Sequence, residues 1–261
     1  VSRIAKEVPP SDPTLALAAR LRSFTPARVG LGRTGVSQQT RDLLDFQRSH
    51  AQARDAVHAR LETAALAACL GKITKCEVLR LHSAAPERAI YLQRPELGRK
   101  LDEASRESLA KISESAPRER KLALIVADGL SALAVERHVP PLLRELLPFL
   151  KQWDLAPLCV VEQGRVAIGD EIGSALGAET SVVLIGERPG LSSPDSLGAY
   201  ITWAPRVGRT DAERNCISNI RAEGLSYAQA AAQLDFYLTE ARRRQLTGVA
   251  LKDQVPLLKK G

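Results

Sequence analysis

A chain of 261 residues, 44% hydrophobic and 26% charged, is long enough to bury a proper core and too ordinary in composition for a disordered or membrane class. No apolar run approaches the roughly 18 to 20 residues that a spanning helix needs, and the start VSRIAKEVPPSDP lacks the apolar centre of a secretory signal, so a soluble cytoplasmic protein is expected. The net charge of +7 comes with only 4% aromatic residues, too few for a base-stacking surface, so the basic excess points to an acidic protein partner rather than to nucleic acid.

The sequence holds no methionine, even at position 1, and is expected to begin downstream of its natural start. Cys69, Cys76, Cys159 and Cys216 are scattered, with no CxxC and no histidine at a zinc-ligand interval, so neither a disulfide framework nor a metal site is expected.

In chain order, SFTPARVGLGRTGVS reads as a Gly- and Pro-rich ordered loop. Its GLGRTG (Gly30, Gly32, Gly35) satisfies GxGxxG, with Asp55 where a ribose-binding acid would stand. The context fails, because FTPARV is a short strand candidate containing Pro26 and a long helix follows instead of a crossover. A tight loop is the reading; a stand-alone Rossmann nucleotide-binding enzyme is the alternative. From Thr40 to about Leu70, the spacing of Leu43, Phe46, Ala53, Val57 and Leu61 predicts one long amphipathic helix, with His50 on its stripe as a buried or interface residue. Residues 14–60 carry eight arginines against three aspartates. Residues 1–70 are therefore read as a helical arm, and 71–261 as a separate domain.

In that domain short β-branched runs alternate with helical stretches. CEVLRL (76–81), KLALIVAD (121–128), PLCVVEQ (157–163) and TSVVLIG (180–186) are the strands; Leu101–Ile112, Ser131–Leu150 with Pro140 and Pro141 inside, and DEIGSALGA (170–178) are the helices. This order predicts an α/β fold with a Rossmann-like parallel sheet and flanking helices. Ser226 and Gln229 form a capping box for a last helix reaching about Leu246, with Ala230, Leu234, Leu238 and Ala241 on one face.

Ligands of such sheets sit outside the carboxyl ends of the strands. Those ends carry Asp128 and Gly129, then Glu162 to Val166, then Gly186 to Gly190, and the third loop continues as LSSPDSLGAY toward Asn215, Cys216, Ser218 and Asn219. Catalytic signatures are scarce: the histidines (His50, His58, His82, His138) stand in no recognisable triad, and GxSxG, HExxH and P-loop patterns are absent.

GERPGLSSPDSLGAYITWAPRVGRTDAERNCISNIR (186–221), EARRRQLTGVALKD (240–253), VADGLSALAVERH (126–138) and PARVGLGRTG with TRDLLDFQRSHAQARDAVH (26–58) resemble the small subunit of ethanolamine ammonia-lyase. That resemblance implies a subunit that closes over base-on adenosylcobalamin against a barrel-shaped large subunit, in a hetero-oligomer of about six of each chain. It implies no catalytic residue and no metal ligand here, since the large subunit carries the reacting groups. It also places Val166, Glu187 and Cys216 at the cofactor; Asp128, Gly129, Gly164, Ser193, Asn215 and Asn219 are further candidates from loop convergence. The family's longer leader, which in some bacteria sends the enzyme to a microcompartment, is expected to be absent, leaving that location open.

Overall fold

The computed structural model describes residues 13–25, 27–115 and 121–251; Pro26 and the opening segment lie outside them. The chain divides into two compact units, one of residues 1–54 with 190–193 and the other of 55–189 with 194–261.

In the first unit, α1 (Pro13–Arg22) is followed by the two-residue strands β1 (Arg33–Thr34) and β2 (Ser37–Gln38) and by α2 (Thr40–His58). GLGRTG thus runs into a small antiparallel hairpin rather than a strand-turn-helix, in keeping with the tight-loop reading. Arg28 pins the loop to α2 through Asp45, at 2.8 Å. The single helix expected from Thr40 to Leu70 is two helices, α2 and α3 (Thr63–Thr74). Leu61 turns into the core, and the Glu62 N–H is taken by the Glu136 carboxylate at 3.1 Å instead of by a helical carbonyl. His50 is exposed and stacks on Phe46 at 6.2 Å, so it is not a buried residue of this chain.

The second unit continues with β3 (Val78–His82), α4 (Arg88–Gln93), α5 (Glu103–Ser115), β4 (Lys121–Ala127), α6 (Ala132–Leu146), β5 (Asp154–Leu155), β6 (Leu158–Glu162), α7 (Ile168–Ala175), β7 (Ala178–Gly186), β8 (Leu197–Trp203), β9 (Asn215–Ile220) and α8 (Tyr227–Arg244). The sheet order is β3-β6-β4-β7-β8-β9, with short β5 beside the start of β4. The β3, β6, β4 and β7 strands are mutually parallel, whereas β8 and β9 run antiparallel and extend the sheet past β7. The fold is α/β with a mostly parallel sheet, as expected; LGAY, read as a continuing loop, opens β8, and NCISNI, given no strand from sequence, is β9.

Continuous apolar runs form the central strands because both faces are covered. Leu122, Leu124 and Val126 of β4, Val160 of β6 and Val182 and Leu184 of β7 pack in one core with α3, α6 and α8 through Leu70, Val139, Leu143, Leu234 and Leu238. Their neighbours Ala123, Ile125, Ala127, Val161, Val183 and Ile185 pack in a second core with Leu109 of α5 and Ile168 and Ile172 of α7. Each fully buried leucine or isoleucine contributes about 1.5 to 3 kcal/mol.

Helix α6 passes through Pro140 and Pro141 unbroken. Prolines at those positions leave the carbonyls of Glu136 and Arg137 without their usual i+4 donors, and both residues lie on the side of the helix that reaches solvent. Ser131 caps the helix by accepting from the Ala134 N–H at 3.2 Å, and Ser226 caps α8 by accepting from the Gln229 N–H.

Candidate functional site

The carboxyl ends of β4, β6 and β7 open on a groove of about 440 Å³ lined by Tyr91, Gly129, Leu130, Arg165, Val166, Ile185, Gly186, Glu187, Arg188 and Tyr200. Two loops following parallel strands thereby bring Val166 and Glu187 to one groove. Cys216 is not in its lining. It is the register partner of Tyr200 across β8 and β9. Cys216 thus neighbours the groove through Tyr200, which does line it.

Glu187 is held from three directions. Its backbone N–H donates to the Ser196 carbonyl at 2.9 Å, the Ser196 hydroxyl donates to its Oε2, and the Asn219 N–H donates to the same oxygen at 3.2 Å. That last bond exists because of a β-bulge. Leu197 pairs with Ile220 and Ala199 with Ile217, so β9 spends one residue more than β8 between the two pairs. Asn219 sits in the bulge at φ +59°, a left-handed conformation asparagine tolerates, and its N–H is turned from the ladder to the carboxylate. Gly198 on β8 makes the room, since a Cβ there would lie 3.0 Å from Glu187 Oε1. Gly198 was not singled out from sequence; a glycine inside a strand was the available signal.

Desolvation of the Cys216 sulfur raises its pKa; the Tyr200 hydroxyl opposes this and the Glu187 charge adds to it. The thiol is thus neutral at physiological pH and poorly suited to nucleophilic attack.

Beneath the groove lies a buried polar knot. Arg88, from α4, donates to Asp128 Oδ2 at 3.3 Å, to the Gly129 carbonyl at 2.9 Å and to Gln163 Oε1 at 3.3 Å, and its Nε donates to the Val57 carbonyl at 2.7 Å. Asp128 Oδ1 accepts from the Gly164 N–H at 3.0 Å, and the Tyr91 hydroxyl donates to the Gly164 carbonyl at 2.9 Å. Burial raises the Asp128 pKa to about 6, with Arg88 and the backbone donors opposing; the carboxylate is ionised at neutral pH. Gly129 has φ +57°, and a Cβ on it would run into the Gly186 carbonyl. Asp128 and Gly164 are turned into this knot, fixing the loop ends, while Gly129 also borders the groove.

The other candidates disperse. Asn215 is buried and faces the C-terminal turn: its Oδ1 accepts from the Gly248 N–H at 2.8 Å and its Nδ2 donates to the Leu251 carbonyl at 3.0 Å. Ser193 belongs to the unit that holds the N-terminal residues, in a turn with Gly190 at 3.0 Å. Asn219 reaches the site by its backbone. Of the loop carboxylates, Glu162 accepts from the Thr63 hydroxyl at 2.9 Å, so Glu187 alone of the three faces the groove.

Among the described residues no histidine lines the groove, and no group of three or more His, Cys, Asp or Glu could hold a metal ion. None of the described helices is long and apolar enough to cross a membrane. The lining suits a large ligand with an apolar rim and peripheral amides: Val166, Leu130 and Ile185 supply contact surface, Glu187 accepts N–H groups and the arginines donate. A corrinoid has that periphery, and the residues fit it.

The family model for the ethanolamine ammonia-lyase light chain (EutC) matches residues 16–252. The chain is 58% identical over 236 residues to the ethanolamine ammonia-lyase small subunit of Pseudomonas aeruginosa (strain LESB58), covering 90% of this chain and 86% of that protein. It is 57% identical to the small subunit of Pseudomonas fluorescens (strain Pf0-1), covering 95% and 90%, and 55% identical to that of Xanthomonas campestris pv. campestris (strain B100), covering 95% and 93%. With this match running from α1 to the last described turn, and the groove residues inside it, the chain belongs to the ethanolamine ammonia-lyase light chain family.

Proposed function

We propose that this chain is the small subunit of an adenosylcobalamin-dependent ethanolamine ammonia-lyase and forms one wall of the cofactor site at the interface with a barrel-shaped large subunit. The radical chemistry that converts ethanolamine to acetaldehyde and ammonia is supplied by adenosylcobalamin when bound, base-on. The residues of this chain bind, orient and exclude water. Val166 packs on the ring edge, Glu187 accepts hydrogen bonds from ring amides, and Cys216 backs Tyr200 as a small polarizable packing group. The catalytic residues belong to the large subunit, the basic arm docks on that subunit, and the assembly holds about six of each chain. Its place is the cytoplasm, or a microcompartment where the host builds one.

The observation that carries this reading is that Val166 and Glu187, assigned by the family resemblance, line one groove together with Tyr200, the neighbour of Cys216. The test is a complex of this chain with the large subunit, assayed for ethanolamine turnover. Activity should require both chains and adenosylcobalamin. Glu187→Ala should raise the cofactor concentration for half-maximal activity by about tenfold or more while leaving the ethanolamine KM nearly unchanged. Full activity of the large subunit alone would refute the reading.

A further inference from the structure

The groove does not end at Tyr200. A second hollow, whose lining includes Arg99, Arg209 and Asp211, shares Arg165, Val166 and Tyr200 with the first, so the two form one furrow with chemically different ends. Glu187 marks one end, and the other is arginine-rich.

The cations there are not equivalent. Arg209 is committed to Glu213 and to the Trp203 and Ala204 carbonyls, and Asp211 lies 3.5 Å from Arg214. Arg165 has no carboxylate partner among the described residues. Its guanidinium carbon lies 4.2 Å from the centre of the Tyr91 ring, Nη2 donates to the Tyr91 carbonyl at 3.3 Å, and Nε is buried without a partner. Tyr91 is itself fully buried and tied to the Gly164 carbonyl. Stacking and the backbone bond hold the guanidinium in place in advance, which removes much of the rotamer entropy that anion binding would otherwise cost. By contrast, the buried Arg88 and Arg214 have Asp128 and Asp170 as counter-ions. Arg99, exposed and also without a carboxylate partner among the described residues, lines the same hollow.

We propose that Arg165, assisted by Arg99, is the anion-recognition residue of the furrow, and that its ligand is the phosphodiester of the corrinoid's nucleotide tail. This rests on the cobalamin reading above and adds an orientation to it. Neutral amides go to the Glu187 end and the single anionic group to the Arg165 end, where the planar guanidinium meets two phosphate oxygens.

The test titrates the complex of this chain and the large subunit with cyanocobalamin and with dicyanocobinamide, which keeps the corrin and its amides but lacks the nucleotide tail. Binding is read from the corrin absorption. Arg165→Gln should weaken cobalamin by about tenfold to a hundredfold and leave cobinamide unchanged, whereas Glu187→Gln should weaken both. Arg99→Gln, on an exposed side chain, should shift cobalamin alone by a smaller factor, and it carries the test if the Arg165 variant fails to assemble. Inorganic phosphate should compete with cobalamin and not with cobinamide. Equal losses for the two corrinoids, unchanged cobalamin affinity in both arginine variants, or phosphate that binds alongside cobalamin without competing would overturn the assignment. A wild-type complex that bound neither corrinoid would overturn the cobalamin reading itself.

Discussion

At the scale of single residues, Cys216 shows how position decides chemistry. It is exposed by area, yet desolvation of the sulfur and the Glu187 charge hold its pKa above the ordinary value while the Tyr200 hydroxyl pulls the other way. Alkylation by iodoacetamide near neutral pH should therefore be slower at Cys216 than at a free model thiol, and Glu187→Gln should speed it by removing a neighbouring negative charge. Mass spectrometry of the modified chain measures both; a Cys216 that reacts faster than the model thiol, or is slowed by the substitution, would contradict this picture. The strand ends placed Val166 and Glu187 within loops at one edge of the sheet, and the family resemblance singled them out of those loops. The sequence could not point to Arg88, Tyr91 or Tyr200, since α4 is a six-residue helix with no room for periodicity and Tyr200 lies in a strand read as loop. Nor could it show that Asp128 and Asn215 turn inward, because spacing does not report which way a polar side chain faces at a strand end.

At the scale of elements, the antiparallel pair β8 and β9 was the part least legible in advance. NCISNI alternates until the bulge at Asn219 breaks the period of two, and Gly198 dilutes β8, so neither looked like a strand; the unbroken apolar runs of β4, β6 and β7 did. Two anchors hold this edge. Asn215 ties β9 to the turn at Gly248 and Leu251, so Asn215→Ala should cost about 1 to 3 kcal/mol in unfolding stability with little change in corrinoid affinity. Denaturant unfolding and corrin titration separate the two effects; a large loss of affinity at unchanged stability would return Asn215 to the site.

The second anchor is Asp195, which meets Arg137 at 2.9 Å, Arg221 at 3.5 Å and His138 at 3.5 Å, while His138 Nδ1 lies 2.9 Å from the Tyr227 hydroxyl. Burial lowers the His138 pKa from its ordinary 6.5, with Asp195 opposing and Arg137 reinforcing the shift. Below that value the unfolded chain takes up a proton that the folded chain resists, so the His138 contribution is present at higher pH and is lost as pH falls through 6.5. His138→Gln should flatten the slope of stability against pH just below about 6.5 relative to wild type; an unchanged slope would contradict this.

At the scale of the whole molecule, the chain presents a scaffold with an unfinished site. Both faces of the central parallel strands are covered, the loop ends are locked by the Arg88 and Asp128 knot, and the carboxyl edge carries an open furrow with a carboxylate at one end and, at the other, an arginine that has no carboxylate partner among the described residues. Such a surface gives one wall for a large ligand, which is why a second chain is part of the proposed function. The α/β class was legible in sequence because alternating strands and helices follow from periodicity alone; the site was legible mainly through family resemblance, because its side chains come from distant loops. The most direct test is a structure of the complex with the large subunit and bound cobalamin. The account predicts corrin amides within hydrogen-bond distance of Glu187 and the ring edge against Val166; a corrin held by the large subunit alone, remote from the β4, β6 and β7 loop edge, would contradict it.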